Sequence, residues 1–240
     1  MPWPRSVSSL ALILCLFLPS AYAAEPACVA LLHGLWRTED SMAKMQEGLV
    51  EAGFAVRNIA YDSTGKAIAE LAADTVPRAV AACGGAPQIH FVTHSMGGIL
   101  IRQYLSTHEI ERLGRVVMLG PPNQGSEVVD FYDEFPAFEW FAGPAGLELG
   151  TGAASVPRAL GPVQFDVGVI AGTQSINLIL SGVVLPDADD GKVTVDATRV
   201  EGMNDHLEMP VTHVFMMRDP EVIDQVVYYL EHGRFRREVN

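Results

Sequence analysis

The chain has 240 residues, of which 49% are apolar and 19% are charged. This length suffices for one hydrophobic core and is short for two ordinary domains, and the composition excludes disordered, collagen-like and coiled-coil classes. The 16 Lys and Arg residues set against 29 Asp and Glu residues leave a net charge of −13. The electrostatic field of this negative charge repels phosphate backbones, so we expect no nucleic acid partner.

The first residues have the pattern of a secretory signal peptide. Arg5 supplies a positive charge, residues 10–18 form an apolar run, and Ala21 and Ala23 are small residues suited to a signal peptidase. The run is too short to cross a bilayer as a helix. We expect cleavage after Ala23, which assigns residues 1–23 to the signal and residues 24–240 to one domain of a secreted or periplasmic protein.

An alternative is a lipoprotein signal cut before Cys15, but that signal needs a small residue where this chain has Leu14. Cleavage after residue 23 leaves two cysteines, Cys28 and Cys83. In an oxidising compartment an isolated pair is a disulfide candidate. The other interpretation is that both are small hydrophobic residues buried separately.

The spacing of apolar residues predicts strands that alternate with helices. Strands are predicted at residues 28–32, 54–59, 88–93, 115–119 and 165–171 and in the short run 209–212 that leads to His213, and helices at residues 41–52, 67–82, 96–107 and 220–232. This alternation predicts an α/β fold with a mostly parallel central sheet and helices on both faces. Ligands of such sheets bind at the carboxyl ends of the strands.

Residues 123–162 interrupt the alternation. They contain an aromatic run at residues 131–141 and a stretch rich in Gly and Ala at residues 143–154. A segment of this length in a compact domain is usually a functional lid or wall. Its aromatic residues could instead only pack the segment onto the body, and both interpretations stay open.

The strongest chemical signal is residues 93–98, Thr-His-Ser-Met-Gly-Gly, between a predicted strand and a predicted helix. A sharp strand-to-helix turn holds the central side chain above the sheet and leaves room only for small neighbours. Gly97 and Gly98 meet that need. Thr93 stands where glycine is usual, but it is also small. The pattern predicts Ser95 as a nucleophile.

A serine hydroxyl needs a base, and the base needs a carboxylate to hold its tautomer. In this architecture the chain order is Ser, then Asp or Glu, then His. His213 precedes the last predicted helix and follows a predicted strand, so we predict it as the base. His206 is the alternative base, or else a surface or supporting residue.

Asp190 is the predicted acid because Gly191, which follows it, allows the loop to turn sharply. The other candidates are Asp187, Asp189, Asp196 and Asp205. Clustered aspartates also raise the question of Ca²⁺, but the run lacks the spacing, glycine and final glutamate of an EF-hand. We therefore expect neither a metal nor a cofactor.

Acyl transfer also needs N–H donors for the developing oxyanion. The backbone N–H of Met96 follows the nucleophile directly and is one candidate. The loop after the first strand offers the N–H of Leu35 as the second. We interpret His33, in the same loop, as a structural residue that holds the loop in place.

Five segments together resemble bacterial α/β-hydrolases of the lipase and esterase type. They are residues 31–35 (Leu-Leu-His-Gly-Leu), 93–98, 120–126 (Gly-Pro-Pro-Asn-Gln-Gly-Ser), 190–193 (Asp-Gly-Lys-Val) and 212–213 (Thr-His). The resemblance spans about residues 28–215 and implies an eight-stranded type of core, complete or trimmed at its front, that hydrolyses carboxylic esters through an acyl-enzyme. It also implies a disulfide between Cys28 and Cys83, which that fold brings to one edge.

We therefore expect a secreted or periplasmic serine esterase or lipase that is monomeric and needs no cofactor. Its substrate is expected to be a small-molecule or lipid ester, with transient contact to a lipid interface, since apolar residues near the turn and in the aromatic segment suggest an acyl pocket. An acyltransferase or a phospholipase would use the same residues. A binding or folding-helper protein without turnover is the alternative from another class.

Overall fold

The computed structural model describes residues 25–176, 182, 184–185 and 187–237. The expected signal peptide, residues 1–23, lies outside the described residues. In the part that is described, no helix combines the length and the apolar character needed to span a membrane.

The core is one sheet of parallel strands. They are β1 (Cys28–Leu32), β2 (Ala55–Asn58), β3 (Ile89–His94), β4 (Leu113–Leu119), β5 (Val167–Gly172) and β6 (Asp205–Met209). Their spatial order is β2-β1-β3-β4-β5-β6, and every neighbouring pair is parallel. The predicted α/β class is confirmed, and the five strands predicted before residue 172 are present with ends shifted by at most two residues.

Helices cover both faces of the sheet. They are α1 (Ala43–Glu51), α2 (Ile68–Ala82), α3 (Met96–Leu105), α4 (Glu127–Asp133), α5 (Pro136–Leu147), α6 (Val156–Ala159) and α7 (Pro220–His232). Because successive strand residues point to opposite faces, Val29 and Leu31 pack with α1 and α7, whereas Ala30 and Leu32 pack with α2.

The ends of α7 illustrate how local sequence sets the elements. The Asp219 side chain accepts hydrogen bonds from the backbone N–H groups of Glu221 and Val222, and Gly233 ends the helix in the left-handed conformation with φ 72°. Asp at the start of a helix and Gly just after its end are both favoured, because each helps to satisfy backbone groups that the helix leaves unpaired. The helix predicted at residues 220–232 is confirmed.

One strand prediction needs correction. The last strand is Asp205–Met209 and not the run 209–212, because Pro210 has no N–H to continue the ladder. This strand is at the edge of the sheet and is partly exposed, so its sequence, Asp-His-Leu-Glu-Met, is largely polar and lacks the apolar run that predicts a strand. The described residues form a sheet of six strands, which agrees with an eight-stranded type of core that is trimmed and not complete.

The segment 123–162 contains α4, α5 and α6 and is fastened to α3 by a buried arginine. Arg102 is 3% exposed and donates to the backbone and side-chain oxygens of Asn123 and to the carbonyl oxygens of Pro157 and Gly161. Burial lowers the pKa of Arg102 to about 10. One guanidinium therefore joins the start and the end of the segment to the body.

Cys28, the first residue of β1, is joined to Cys83, which follows α2, by a disulfide with a Cα–Cα distance of 5.7 Å. The bond lies at the amino end of its strand. The carboxyl ends, where ligands of such sheets bind, are at the opposite edge.

Candidate active site

Ser95 occupies a strained turn between β3 and α3. Its backbone has φ 53° and ψ −123°, and a non-glycine residue in the left-handed region costs free energy that the surroundings must supply. The N–H of Ser95 donates to the carbonyl oxygen of Leu119 at 2.9 Å. A Cβ at Gly97 would lie 2.6 Å from the carbonyl oxygen of Leu32, so this position requires glycine.

Thr93 fits where glycine is more usual. It is fully buried, and its Oγ1 lies 3.5 Å from the carbonyl oxygen of Val117 on the neighbouring strand. Space for it comes from Gly98, where a Cβ would approach the Thr93 hydroxyl to 3.3 Å. The turn therefore keeps its shape with threonine at the first position.

A chain of hydrogen bonds connects Ser95, His213 and Asp190. The Nε2 atom of His213 lies 3.1 Å from Ser95 Oγ, and its Nδ1 atom lies 2.7 Å from Asp190 Oδ2. Asp190 is 1% exposed and His213 is 7% exposed. The three side chains come from the loops that follow β3, β5 and β6, so they meet at the carboxyl edge of the sheet.

The loop around Asp190 holds its carboxylate rigidly. Oδ1 accepts hydrogen bonds from the backbone N–H groups of Lys192 at 3.0 Å and Val193 at 2.9 Å. Gly191 has φ 96°, which provides the sharp turn. The N–H of His213 donates to the carbonyl oxygen of Asp190 at 2.9 Å, so the two residues are joined through their backbones as well.

The structure gives the other acid candidates different surroundings. Asp187 is exposed, and Asp189 accepts from the N–H of Gly191 at 2.7 Å. Asp196 forms an ion pair with Arg199, and Asp205 forms one with Arg237. Across the described side chains, no group of three or more His, Cys, Asp or Glu residues is arranged to hold a metal ion.

His206, the alternative base, lies on the edge strand β6. Its Nε2 atom is 2.9 Å from Thr198 Oγ1. The Thr198 hydroxyl donates its hydrogen to the carbonyl oxygen of Val195 at 2.6 Å, so the histidine is the donor in its own bond. Burial lowers the pKa of His206 to about 4, and its ring is neutral near pH 7.

His94 is a site residue whose position the sequence analysis did not anticipate. Its ring is 2% exposed, and its Nε2 donates to the carbonyl oxygen of His213 at 2.9 Å. Burial, together with the charge of His213, lowers the pKa of His94 well below its ordinary value. The neutral His94 ring therefore holds the backbone of His213 in place through this hydrogen bond. Its place beside Ser95 was visible in the sequence, but the direction of its ring was not.

Gly120 is a second residue whose place in the site the sequence analysis did not anticipate. It follows β4 directly and has φ 53°. A Cβ there would lie 2.9 Å from Asp190 Oδ2 and 3.1 Å from His213 Nδ1. The missing side chain leaves room for the contact between the two side chains. The sequence signals for Gly120 are its position at the end of a predicted strand and its place in the segment 120–126, and neither of them indicates this contact.

The loop after β1 lies against Ser95. A Cβ at Gly34 would be 3.0 Å from Ser95 Cβ, which brings the following N–H, that of Leu35, into the same region. Met96 is the first residue of α3, so its N–H has no partner within the helix. These are the two donors considered for the oxyanion.

Several contacts fix the shape of that loop. His33 is fully buried, its ring stacks on Tyr61 with centroids 4.0 Å apart, and its Nδ1 lies 2.9 Å from the carbonyl oxygen of Gly34. Trp36 has φ 57°, and with Ser95 it makes up the non-glycine residues of positive φ in the described ranges. The Trp36 indole donates to the carbonyl oxygen of Phe141 at 2.8 Å, which connects the loop to α5.

A cavity of about 680 Å³ opens beside Ser95 and His213, a size typical of small-molecule sites. Much of its wall is apolar and comes from the segment 123–162. These side chains are Val128, Val129, Tyr132, Phe135, Phe138, Phe141 and Leu149. The segment therefore both packs on the body and forms a wall of the cavity.

No protein-family model matches the sequence, and no curated protein matches it. Solved structures do. The metagenomic carboxyl esterase MGS0156 superposes with a TM-score of 0.72 at 18% identity over 87% of this chain and 76% of that one. Bacillus licheniformis lipase BlEst2 in its propeptide form gives 0.69 at 19% identity over 90% of this chain.

Phospholipase PlaB from Legionella pneumophila gives a TM-score of 0.65 at 15% identity over 87% of this chain and 60% of that one. The chain spans 52% of the BlEst2 propeptide form, about half its length. At these identities the similarity concerns the fold. The chain has the α/β-hydrolase fold, as its sequence motifs predicted.

Proposed function

We propose that the protein is a serine hydrolase that cleaves carboxylic esters. The observation that carries this proposal is the hydrogen-bonded chain from Asp190 through His213 to Ser95 at the mouth of an apolar cavity. In this proposal Ser95 is the nucleophile, His213 is the general base and acid, and Asp190 orients His213.

In the proposed reaction these three side chains act together with water. Ser95 Oγ attacks the ester carbonyl carbon while His213 Nε2 accepts the hydroxyl proton. The tetrahedral intermediate collapses, the C–O bond to the alcohol breaks, and His213 returns the proton to the leaving alcohol. Water, deprotonated by the same nitrogen, then attacks the acyl-enzyme. The C–O bond to Ser95 breaks, His213 returns the proton to Ser95 Oγ, and the carboxylic acid is released. Asp190 holds the Nδ1–H tautomer throughout.

The oxyanion of each tetrahedral intermediate would be bound by the backbone N–H groups of Met96 and Leu35. Support comes from the position of Met96 at the start of α3 and from the close approach of Gly34 to Ser95. Donors held in place before the reaction need no reorganisation as charge develops, and one such donor is worth about 3 to 4 kcal/mol.

The apolar walls favour an acyl chain over a peptide as the group that fills the cavity. Two aromatic side chains that line it are exposed, Phe135 by 51% and Phe141 by 64%. Trp140, whose ring centroid lies 6.3 Å from that of Phe141, is 86% exposed. Exposed aromatics of this kind suit transient contact with a lipid interface. We therefore propose lipid or medium-chain esters as substrates, without a cofactor, for a monomer.

Residence outside the cytoplasm is part of the proposal. The disulfide between Cys28 and Cys83 is of a kind that persists in oxidising compartments, and the amino-terminal sequence has the signal-peptide pattern. We propose a secreted or periplasmic enzyme that is cleaved near Ala23.

A fluorophosphonate probe tests the assignment of the nucleophile. The wild-type protein should be labelled covalently and Ser95→Ala should not. Ser126 lines the same cavity and donates to the carbonyl oxygen of Lys192, so Ser126→Ala is the matched control and should be labelled like the wild type. An unlabelled wild type, or equal labelling of Ser95→Ala, would disprove the proposal.

Substrate class is then measured with p-nitrophenyl esters of increasing chain length. An optimum at medium or long chains supports the acyl pocket. Transfer of the acyl group to an added alcohol in preference to water would instead identify an acyltransferase.

A further inference from the structure

Two cationic side chains line the cavity beside Ser95. Arg37 belongs to the loop that follows β1, and Lys192 belongs to the loop that follows β5. Both are half-buried. Cations are unusual in a wall that is otherwise largely apolar, and the proposed ester hydrolysis uses neither of them.

Neither cation has a carboxylate partner among the residues that the structure describes, where the ion pairs join other groups. Asp190 is the nearest candidate for Lys192, but its oxygens already accept hydrogen bonds from His213 and from two backbone N–H groups. The desolvation of a charge is costly unless an opposite charge accompanies it.

The electrostatics of Lys192 place the two cations close enough to influence each other. Burial lowers the pKa of Lys192, the charge of Asp190 raises it, and the charge of Arg37 lowers it. Two like charges that share one cavity repel each other, and a bound anion would relieve both the repulsion and the desolvation cost.

Both cations act electrostatically on groups around His213. Lys192 is two residues beyond Asp190. Burial lowers the pKa of His94, and the charge of Arg37 contributes to the same shift; the His94 ring is 4.8 Å from that of His213. His213 is the residue that would return a proton to the leaving alcohol, so an anionic group on the alcohol half of the substrate would lie within the field of both cations.

We propose that the alcohol half of the substrate carries an anionic group, phosphate or carboxylate, that binds to Arg37 and Lys192. This inference rests on the proposed ester hydrolysis. Arginine offers paired donors in one plane and lysine a compact positive charge, a combination that suits oxyanions. Since the chain as a whole carries a net charge of −13, attraction of an anion requires a local site of this kind.

The test compares matched esters of butyric acid. One pair is 1-butyrylglycerol 3-phosphate and 1-butyrylglycerol, and the other is 3-(butyryloxy)propanoate and its primary amide. We expect the ratio of kcat/KM, charged over neutral, to reach about tenfold in at least one pair, as hydrogen bonds to charged groups imply. The pair that shows the preference identifies phosphate or carboxylate as the group. Equal rates in both pairs would overturn the inference.

Variants assign the preference to the two side chains. Arg37→Gln and Lys192→Gln should each lower the ratio severalfold, while Lys192→Arg should retain most of it. Lys44 lies on the exposed surface of α1, and Lys44→Gln is the matched control whose ratio should equal that of the wild type. Added NaCl should also reduce the ratio, because it screens partly exposed charges.

A measurement without variants uses the wild type alone. Glycerol 3-phosphate should inhibit hydrolysis of p-nitrophenyl butyrate competitively, and glycerol at the same concentration should not. If Ser95 is labelled by fluorophosphonate and neutral esters are cleaved, but neither anion preference nor this inhibition appears, the anion site is wrong and the hydrolase stands. Loss of labelling itself would remove the proposed function instead.

Discussion

The ring of His94 donates a hydrogen bond to the backbone carbonyl oxygen of His213, the residue whose side chain faces Ser95. His94 precedes Ser95 in the chain, so one short segment supplies both the strained serine and the support for its histidine partner. A buried hydrogen bond thereby fixes the position of His213 relative to His94, although the two residues lie far apart in sequence.

This contact makes His94 a positioning residue. His94→Ala should lower kcat by about tenfold or more, because the loop of His213 loses its support and small misplacements of reacting groups are costly. KM should change little. His94→Gln retains a side-chain donor and should recover part of the loss. Steady-state kinetics on a p-nitrophenyl ester measure both, and an unchanged kcat in His94→Ala would remove this role.

The two candidate bases are separated by paired substitutions. His213→Ala should lower ester turnover by about a thousandfold or more, as loss of the base does in serine hydrolases. His206→Ala should retain most of the activity, since that ring contacts Thr198 and not Ser95. Initial rates with both variants at equal concentrations decide between them. The reverse result would exchange their roles.

The close approach of Gly120 to Asp190 and His213 predicts a specific sensitivity. Gly120→Ala should lower kcat by about tenfold to a hundredfold, because its Cβ would enter the space between the carboxylate and the imidazole. Gly84 has a similar φ of 55° and, in the described part of the molecule, an unobstructed Cβ position. Gly84→Ala therefore reproduces the backbone strain alone, and equal activity losses in the two variants would contradict the steric explanation.

The Arg102 contacts predict an effect on stability. Arg102→Met should lower the free energy of unfolding by about 3 kcal/mol, because buried oxygens lose their donors. For a domain of this size that corresponds to a fall of roughly 6 to 12 °C in Tm. Arg78 is exposed on α2, so Arg78→Met is the control. Thermal unfolding measures both, and similar Tm values would show that Arg102 contributes little.

The sequence predicted the central strands well for a physical reason. β1 and β5 are buried on both faces, so their apolar runs are long and their ends are marked by polar or glycine residues. β6 is an edge strand that pairs only with β5, and its Asp, His and Glu residues interrupt the apolar pattern by which a strand is recognised. A polar edge strand can be recognised only when its neighbour in the sheet is known.

For the candidate site too, the sequence predicted some features and did not predict others. The required order of nucleophile, acid and base limits the choice to a few residues, and Gly191 singles out Asp190 from its neighbours. The position of the His94 ring, the space left by Gly120 and the burial of Arg102 depend on which distant segments pack against them. Local patterns hold no information about such contacts.

Since Arg102 holds both Asn123 and Gly161, the ends of the segment between them meet at one anchor on α3. A change of length or sequence between these two points would leave both ends of the segment attached to α3. Exchange of this segment, with the arginine and its carbonyl partners kept, would therefore be a direct way to change the apolar wall of the cavity and, under the proposed function, the acyl groups that fit it.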